Sequence, residues 1–519
     1  MSRRDGQGNR LRGPGPSGLL NLVIAPIYPA TATSAIRLSN TSDDLGQTIR
    51  TLAQRLTASL GDAARVIAER ALRRRLRIAV TGLSRSGKTV FLTALLHNLH
   101  LAARLKEGQT GHLPFFDPVA KGTLEDVALM PIEDLPTFPF LPNLDRLMDA
   151  APDFPPSTTG LSGFGAALRY RPQGFLGRQI VESTTVEIEI IDYPGEWLLD
   201  LPLLDWSYAQ WSAATLRLAA SGARAALAGD WRHIDPDLPA SEGALEQARL
   251  SYTAWLQACR EAPLHLSFVQ PGRFLRPGDG ADLTLFRFCP LALPEGAEPK
   301  PGSMAAVMRD RFERYKSQIV RPFYENTFSE FDRQLVLVDV IGGLNAGAES
   351  FADMRRALAA VLKSFVRDDE GFLARLFRSR TEKVLFAATK ADHVTANQFH
   401  NLRLLLRAMV ADDLGHLPVT GVETDVAALS AVKCTANRRV LYQGQQITVL
   451  EGRIKGRREV EQLFPGEIPE HLPTVDDWAA GRFRFYDFEP PPLARDRGRG
   501  IAHIHLDKAL QFLIGDLFW

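Results

Sequence analysis

The chain has 519 residues, 45% hydrophobic and 23% charged, an ordinary globular balance with length enough for roughly two to four domains' worth of buried core. With 61 Lys plus Arg against 60 Asp plus Glu, the formal charge is +1, so no global field draws the molecule to nucleic acid or anionic lipid, and no nucleic-acid partner is expected. The three cysteines, Cys259, Cys289 and Cys434, fit no paired metal spacing and read as core fillers in a reducing compartment, which makes a cytoplasmic location the expectation.

Residues 1–42 are rich in Gly, Pro, Ser, Thr and Arg and are expected to be a disordered extension. Their longest apolar run, "LLNLVIAPI" at 19–27, is about half the roughly 20 residues that a bilayer span needs, so no transmembrane segment is expected. Over 43–75, Leu, Ile and Val at three-to-four spacing behind an acidic start predict one or two amphipathic helices, closed by Arg73, Arg74 and Arg75 where cations complement the helix dipole. Then comes "LRIAVTGLSRSGKTVFLT" at 76–93, a short apolar strand, a glycine-rich turn and the opening of a helix.

Prolines and glycines over about 104–165 predict a long irregular insertion within a first α/β part at 76–205. Residues 166–172 and 186–192 alternate well enough to form an antiparallel pair. Helical spacing dominates 206–333, a helical insertion. Alternating strands and helices resume in a second part, 334–436, with strands at 335–341, 384–388 and near 426–432 and helices at 349–378 and 397–411. Short β-type runs over 437–500 read as a small β appendage, and 501–519 as a closing strand and helix, with the helix at 505–517. The fold class that follows is α/β: a parallel-dominated sheet with helices on both faces, a large helical insertion and a small β appendage.

"GLSRSGKT" runs from Gly82 to Thr89. Gly82, Arg85, Ser86 and Gly87 would wrap the backbone around phosphate oxygens, with Val90 beside them at the helix start, while Lys88 supplies a positive charge and Thr89 a hydroxyl for Mg²⁺. An acidic partner for the metal should end a neighbouring apolar strand, and both Asp192, three residues before Gly195, and Asp339, three before Gly342, qualify. Counting strands favours Asp192, taken as the end of the third, and leaves Asp339 as a core strand-end residue. Gly195 would offer its N–H to the γ-phosphate and let the loop swing. Thr158 or Thr159 in "PPSTTGLSG" could add a second metal hydroxyl, and Thr158 is chosen.

"FAATKADHV" places Thr389, Lys390 and Asp392 after a strand, where the Asp392 carboxylate can accept two hydrogen bonds from guanine that adenine cannot offer. In "LSAVKCT", Ser430, Ala431 and Val432 could bring a backbone N–H to the guanine O6. GTP or GDP is therefore the expected ligand. Many small GTPases orient the attacking water with a Gln after Asp-x-x-Gly, where this chain has Glu196, so hydrolysis is expected to be slow; Glu196 is either catalytic with a partner or a helix cap. Arg85 either stabilises charge or is solvated. "HIH" at 503–505 reads as the end of a strand rather than a metal site.

"TGLSRSGKT", "DYPGEWLLDLPLLDW", "LVDVIGGLNAG" and "ATKADHV" together resemble the YcjX-like family of bacterial P-loop GTPases over about residues 70–519, with "TKAD" replacing the commoner "NKxD". The resemblance implies GTP or GDP binding with Mg²⁺, a stress-associated setting, and a partner protein at the inner membrane to which the chain could be peripheral. A nucleotide-dependent switch with catalytic Lys88, Asp192, Gly195 and Glu196 is the leading expectation. A scaffold with structural nucleotide is the alternative, and an ATP-dependent kinase is disfavoured by "TKAD".

Overall fold

The computed structural model describes residues 75–518, apart from Ser84, Asp279, Glu295 and the stretches 105–110, 174–182, 364–379, 415–420 and 494–499. The expected N-terminal extension, and all but Arg75 of the expected helices before the first strand, lie outside the described residues.

Seven strands form one mixed sheet. They are β1 (Leu76–Gly82), β2 (Leu124–Met130), β3 (Ser162–Tyr170), β4 (Thr184–Asp192), β5 (Arg333–Val338), β6 (Lys383–Ala388) and β7 (Glu423–Ala428). Their order is β2-β3-β4-β1-β5-β6-β7. The five strands from β4 to β7 are parallel, and β3 and β2 add antiparallel pairings at one end. All six residues of β5 and of β6 are buried, which is why both read as unbroken apolar runs. The antiparallel pair of β3 and β4 forms as its alternation predicts.

β2 lies inside the stretch expected to be irregular, and only Val127 of its residues is buried. An edge strand with one buried side chain leaves almost no period-two signal. Asp192 consequently ends the fourth strand of the sheet, not the third, and its place beside β1 is unaffected.

Side chains alternate between two cores, one on each face of the sheet. Ile78, Val80, Leu335 and Leu337 pack with α1 (Lys88–Ala102), α2 (Phe140–Met148) and α9 (Leu506–Ile514). Ala79, Val336, Val338 and Phe386 face the other core, which takes in the helical insertion with α3 (Tyr208–Ala219), α4 (Glu242–Arg260) and α5 (Met304–Tyr315). The same core includes α6 (Val340–Ala346), α7 (Ala348–Lys363) and α8 (Phe399–Leu414), which follow β5 and β6. Each large side chain so buried stabilises the fold by ~1.5–3 kcal/mol.

The insertion is held by aromatic packing, with Trp211 stacked on Phe312 at 5.0 Å between ring centroids and Tyr252 edge-on to Trp231 at 5.0 Å. The small sheet expected over 437–500 is three antiparallel strands, β8 (Ala436–Tyr442), β9 (Gln445–Arg453) and β10 (Val460–Leu463), in the order β10-β9-β8. All three cysteines are free and buried. The "HIH" run forms a strand-like bridge, Ser430 pairing with Ile504, and His505 Nδ1 lies 2.9 Å from the Ala428 carbonyl oxygen.

Candidate nucleotide-binding site

The turn between β1 and α1 takes backbone conformations that glycine makes easy. Gly87 caps α1 at φ 78°, Arg85 sits at φ 67°, and no side chain caps the helix. The first-turn amides, at the positive end of a 15-residue helix, could therefore receive an anion. Gly82 admits no larger residue: a Cβ there would lie 2.7 Å from the Leu337 carbonyl oxygen. A Cβ on Gly195 would meet the Gly82 carbonyl oxygen at 2.2 Å, so the two loops touch through bare backbone.

Parallel pairing of β1 with β4 puts Asp192 level with Val80, beside the turn. Lys88 Nζ lies 2.6 Å from Asp192 Oδ1 and donates to the Tyr193 carbonyl at 2.5 Å. Thr158 Oγ1 donates to Asp192 Oδ2 at 2.7 Å and stands 3.1 Å from Thr89 Oγ1. Asp192 is 1% exposed, and its Oδ1 accepts no well-directed hydrogen bond despite the nearby ammonium. Two hydroxyls and a carboxylate thus converge as a hard oxygen set suited to Mg²⁺. Asp339 is engaged elsewhere: it accepts from the Gly342 N–H at 2.9 Å and pairs with Lys390 at 2.7 Å.

A cavity of about 320 Å³ runs from this cluster to the end of β6. It is lined by Gly82, Arg85, Ser86, Gly87, Lys88, Thr89, Val90, Thr158, Gly195 and Glu196 towards one end, and by Thr389, Lys390, Asp392, Ser430, Ala431 and Val432 towards the other. Of the site residues chosen from sequence, Asp192 is the one absent from the wall, because it lies behind Lys88 and Thr158; the rejected alternatives Thr159 and Asp339 do not line the cavity either. Its size falls within the range of small-molecule sites.

Asp392 is 2% exposed, and its Oδ2 accepts from the Cys434 N–H at 2.7 Å. Lys390 adopts φ 58° and reaches between Asp339 and Asp487, at 2.7 and 3.3 Å. Burial works against its ammonium, but those two carboxylates outweigh it and hold the pKa above the ordinary lysine value. Asp487, with Lys455 and Phe488, belongs to the β appendage and also lines the cavity. Phe488 meets the His393 ring edge-on at 5.2 Å.

Glu196 forms an ion pair with Arg260, the last residue of α4, which neutralises its carboxylate at this end of the cavity. It sits in a 3₁₀ run, Gly195–Asp205, rather than capping an α-helix. Arg260 and Arg276 of the insertion line the cavity alongside Pro194 and Gly195. Sequence reasoning misses Arg260, Arg276, Lys455, Asp487 and Phe488. They come from the insertion and the appendage, distant in sequence from every phosphate or base motif, and nothing local marks them.

The model of the YcjX-like family, DUF463, matches residues 76–518. A curated protein of Escherichia coli strain K12, "Ras-like GTPase YcjX", is 37% identical over 465 residues, covering 87% of this chain and 97% of that protein. One of the same name from Shewanella oneidensis is 33% identical over 461 residues, covering 85% and 94%. With the glycine-rich turn, the oxygen cluster and the Asp392 carboxylate gathered around one cavity, and with these matches along most of its length, the chain belongs to the YcjX-like family.

Proposed function

We propose that this protein binds GTP and GDP and hydrolyses GTP slowly, acting as a nucleotide-dependent switch. The observation that carries the reading is one cavity with uncapped helix amides and Lys88 at one end and the buried Asp392 carboxylate at the other. The relatives' printed name, Ras-like GTPase, supports it at the family level.

The turn 82–89 would hold the β- and γ-phosphates, with Lys88 placed to neutralise them. Thr89 and Thr158, backed by Asp192, would hold Mg²⁺, which when bound supplies charge neutralisation between the phosphates. Asp392 would accept from the guanine N1–H and 2-amino group, and a purine lacking them would leave a buried carboxylate unpaired. The Glu196 carboxylate, tied to Arg260, is the reason to expect slow turnover where other GTPases use Gln. A stress-associated setting and an inner-membrane partner rest on family resemblance alone. Among the described residues, no helix is long and apolar enough to cross a membrane.

Calorimetric titration with Mg²⁺ tests the reading: GTP and GDP should bind, ATP should bind at least about 100-fold more weakly, and Lys88→Ala should lose nucleotide while staying folded. Equal binding of ATP, or binding of neither, contradicts it. The scaffold alternative keeps one argument, Glu196 in place of Gln; a GTPase rate abolished by Asp192→Ala argues against it.

A further inference from the structure

Within the hydrolysis proposed above, we propose that the helical insertion supplies Arg276 as the cation that stabilises charge on the transferring phosphoryl group. In that step the water oxygen bonds to the γ-phosphorus, the bond from phosphorus to the β–γ bridging oxygen breaks with its electron pair passing to GDP, and the water's proton leaves with phosphate or solvent. Negative charge grows on the bridging oxygen, and a guanidinium fixed nearby lowers the barrier.

The charge inventory at this end of the cavity selects Arg276. The Lys88 ammonium lies 2.6 Å from Asp192, and the Arg260 guanidinium is paired with Glu196. Arg273 stacks 3.6 Å above the Trp197 ring and 4.9 Å from that of Phe323. Arg85 is exposed to solvent, where its charge is screened. Arg276 is half-buried, lines the cavity with Gly195 and Glu196, and has no carboxylate or side-chain hydrogen-bond partner among the described residues.

Its backbone is nevertheless fixed. The Arg276 carbonyl accepts from Trp197 Nε1 at 2.7 Å, and its N–H donates to the Arg273 carbonyl at 3.2 Å. Trp197 follows Glu196 directly, so the arginine is pinned to the very segment that carries Gly195. The fixed main chain keeps the base of the side chain beside Gly195, and the uncommitted guanidinium is free to turn to a developing anion without first breaking an ion pair.

The experiment uses the full chain and measures single-turnover GTP hydrolysis, GTP and GDP affinity, and binding of aluminium fluoride with GDP, a mimic of the transferring phosphoryl group, in wild type and the R276A, R276K and R260A variants. R276A should keep nucleotide affinity within about threefold, lose about 100-fold or more in hydrolysis, and fail to bind aluminium fluoride with GDP, while R276K recovers part of the rate. Retained affinity reports that each variant is folded. Wild-type hydrolysis in R276A, or loss in R260A alone, overturns the assignment of Arg276 and leaves the GTPase reading standing. A wild-type protein that binds GTP without hydrolysing it overturns both.

Discussion

Asp392 holds its position through the main chain of a different loop: Oδ2 accepts from the Cys434 N–H, and the Thr435 hydroxyl donates to the Asp392 carbonyl at 2.5 Å. The carboxylate is thereby oriented before any ligand arrives, and a charge-assisted hydrogen bond to it is worth about 1.5–3 kcal/mol, roughly a 10- to 100-fold affinity difference. If this carboxylate reads the guanine 2-amino group, Asp392→Ala should weaken GTP binding by that factor and erase the preference for GTP over inosine triphosphate, which lacks the amino group. Competition of the two nucleotides against fluorescent GDP measures it, and an unchanged preference in the variant would contradict the assignment. At this scale the sequence was informative wherever a backbone requirement restricts residue type. The glycines at 82 and 195 leave no room for a Cβ, and the Lys88–Thr89 pair opens an uncapped helix. It was silent on Arg260, because an ion pair between residues 196 and 260 depends on how the helical insertion packs against the 195–205 run, and no local pattern encodes that.

Among the elements, the 3₁₀ run from Gly195 to Asp205 couples the site to the insertion. Gln270 Nε2 donates to the Leu199 carbonyl at 2.6 Å, and the Gly272 and Arg273 N–H groups donate to the Asp200 carboxylate at 2.7 and 3.1 Å. Tyr315 Oη donates to the same carboxylate at 2.6 Å. A Cβ on Gly272 would fall 2.0 Å from the Glu196 carbonyl oxygen, so the two segments pack with no space between them. Burial pushes the Asp200 carboxyl up to about 6 from 3.8, against the pull of the hydrogen bonds from Tyr315, Gly272 and Arg273. Between those two values the folded chain binds the proton more tightly than the unfolded chain, so this group adds stability as pH falls from above 6 towards 3.8 and carries its full cost above 6. The stability of wild type relative to Asp200→Asn should therefore rise by about 1 kcal/mol between pH 7 and pH 5. Denaturant unfolding at both pH values checks this, and a pH-independent difference would contradict it. β5 and β6 were legible as elements because they are buried on both faces, whereas β2 was not, since one buried side chain gives no alternation to read.

Over the whole molecule, the insertion and the appendage are walls of the cavity as well as additions to the sheet. Arg260 and Arg276 come from the first, Lys455, Asp487 and Phe488 from the second, and the Lys390–Asp487 pair ties the appendage to the base-side loop. The α/β architecture and a parallel-dominated sheet followed from alternating apolar strands and amphipathic helices, while the strand order and the convergence of both additions on one cavity are properties of packing between distant segments. In the proposed reading, this cavity holds a guanine nucleotide lengthwise, with the phosphates on the amides before Lys88 and the base on Asp392. A crystal structure of the full chain with Mg²⁺ and a non-hydrolysable GTP analogue tests it most directly. It should show the β- and γ-phosphates within hydrogen-bond reach of the 85–89 amides and Lys88, and the guanine edge against Asp392. Density for the nucleotide outside this cavity, or a base held by other groups with Asp392 still bonded only to Cys434, would contradict it.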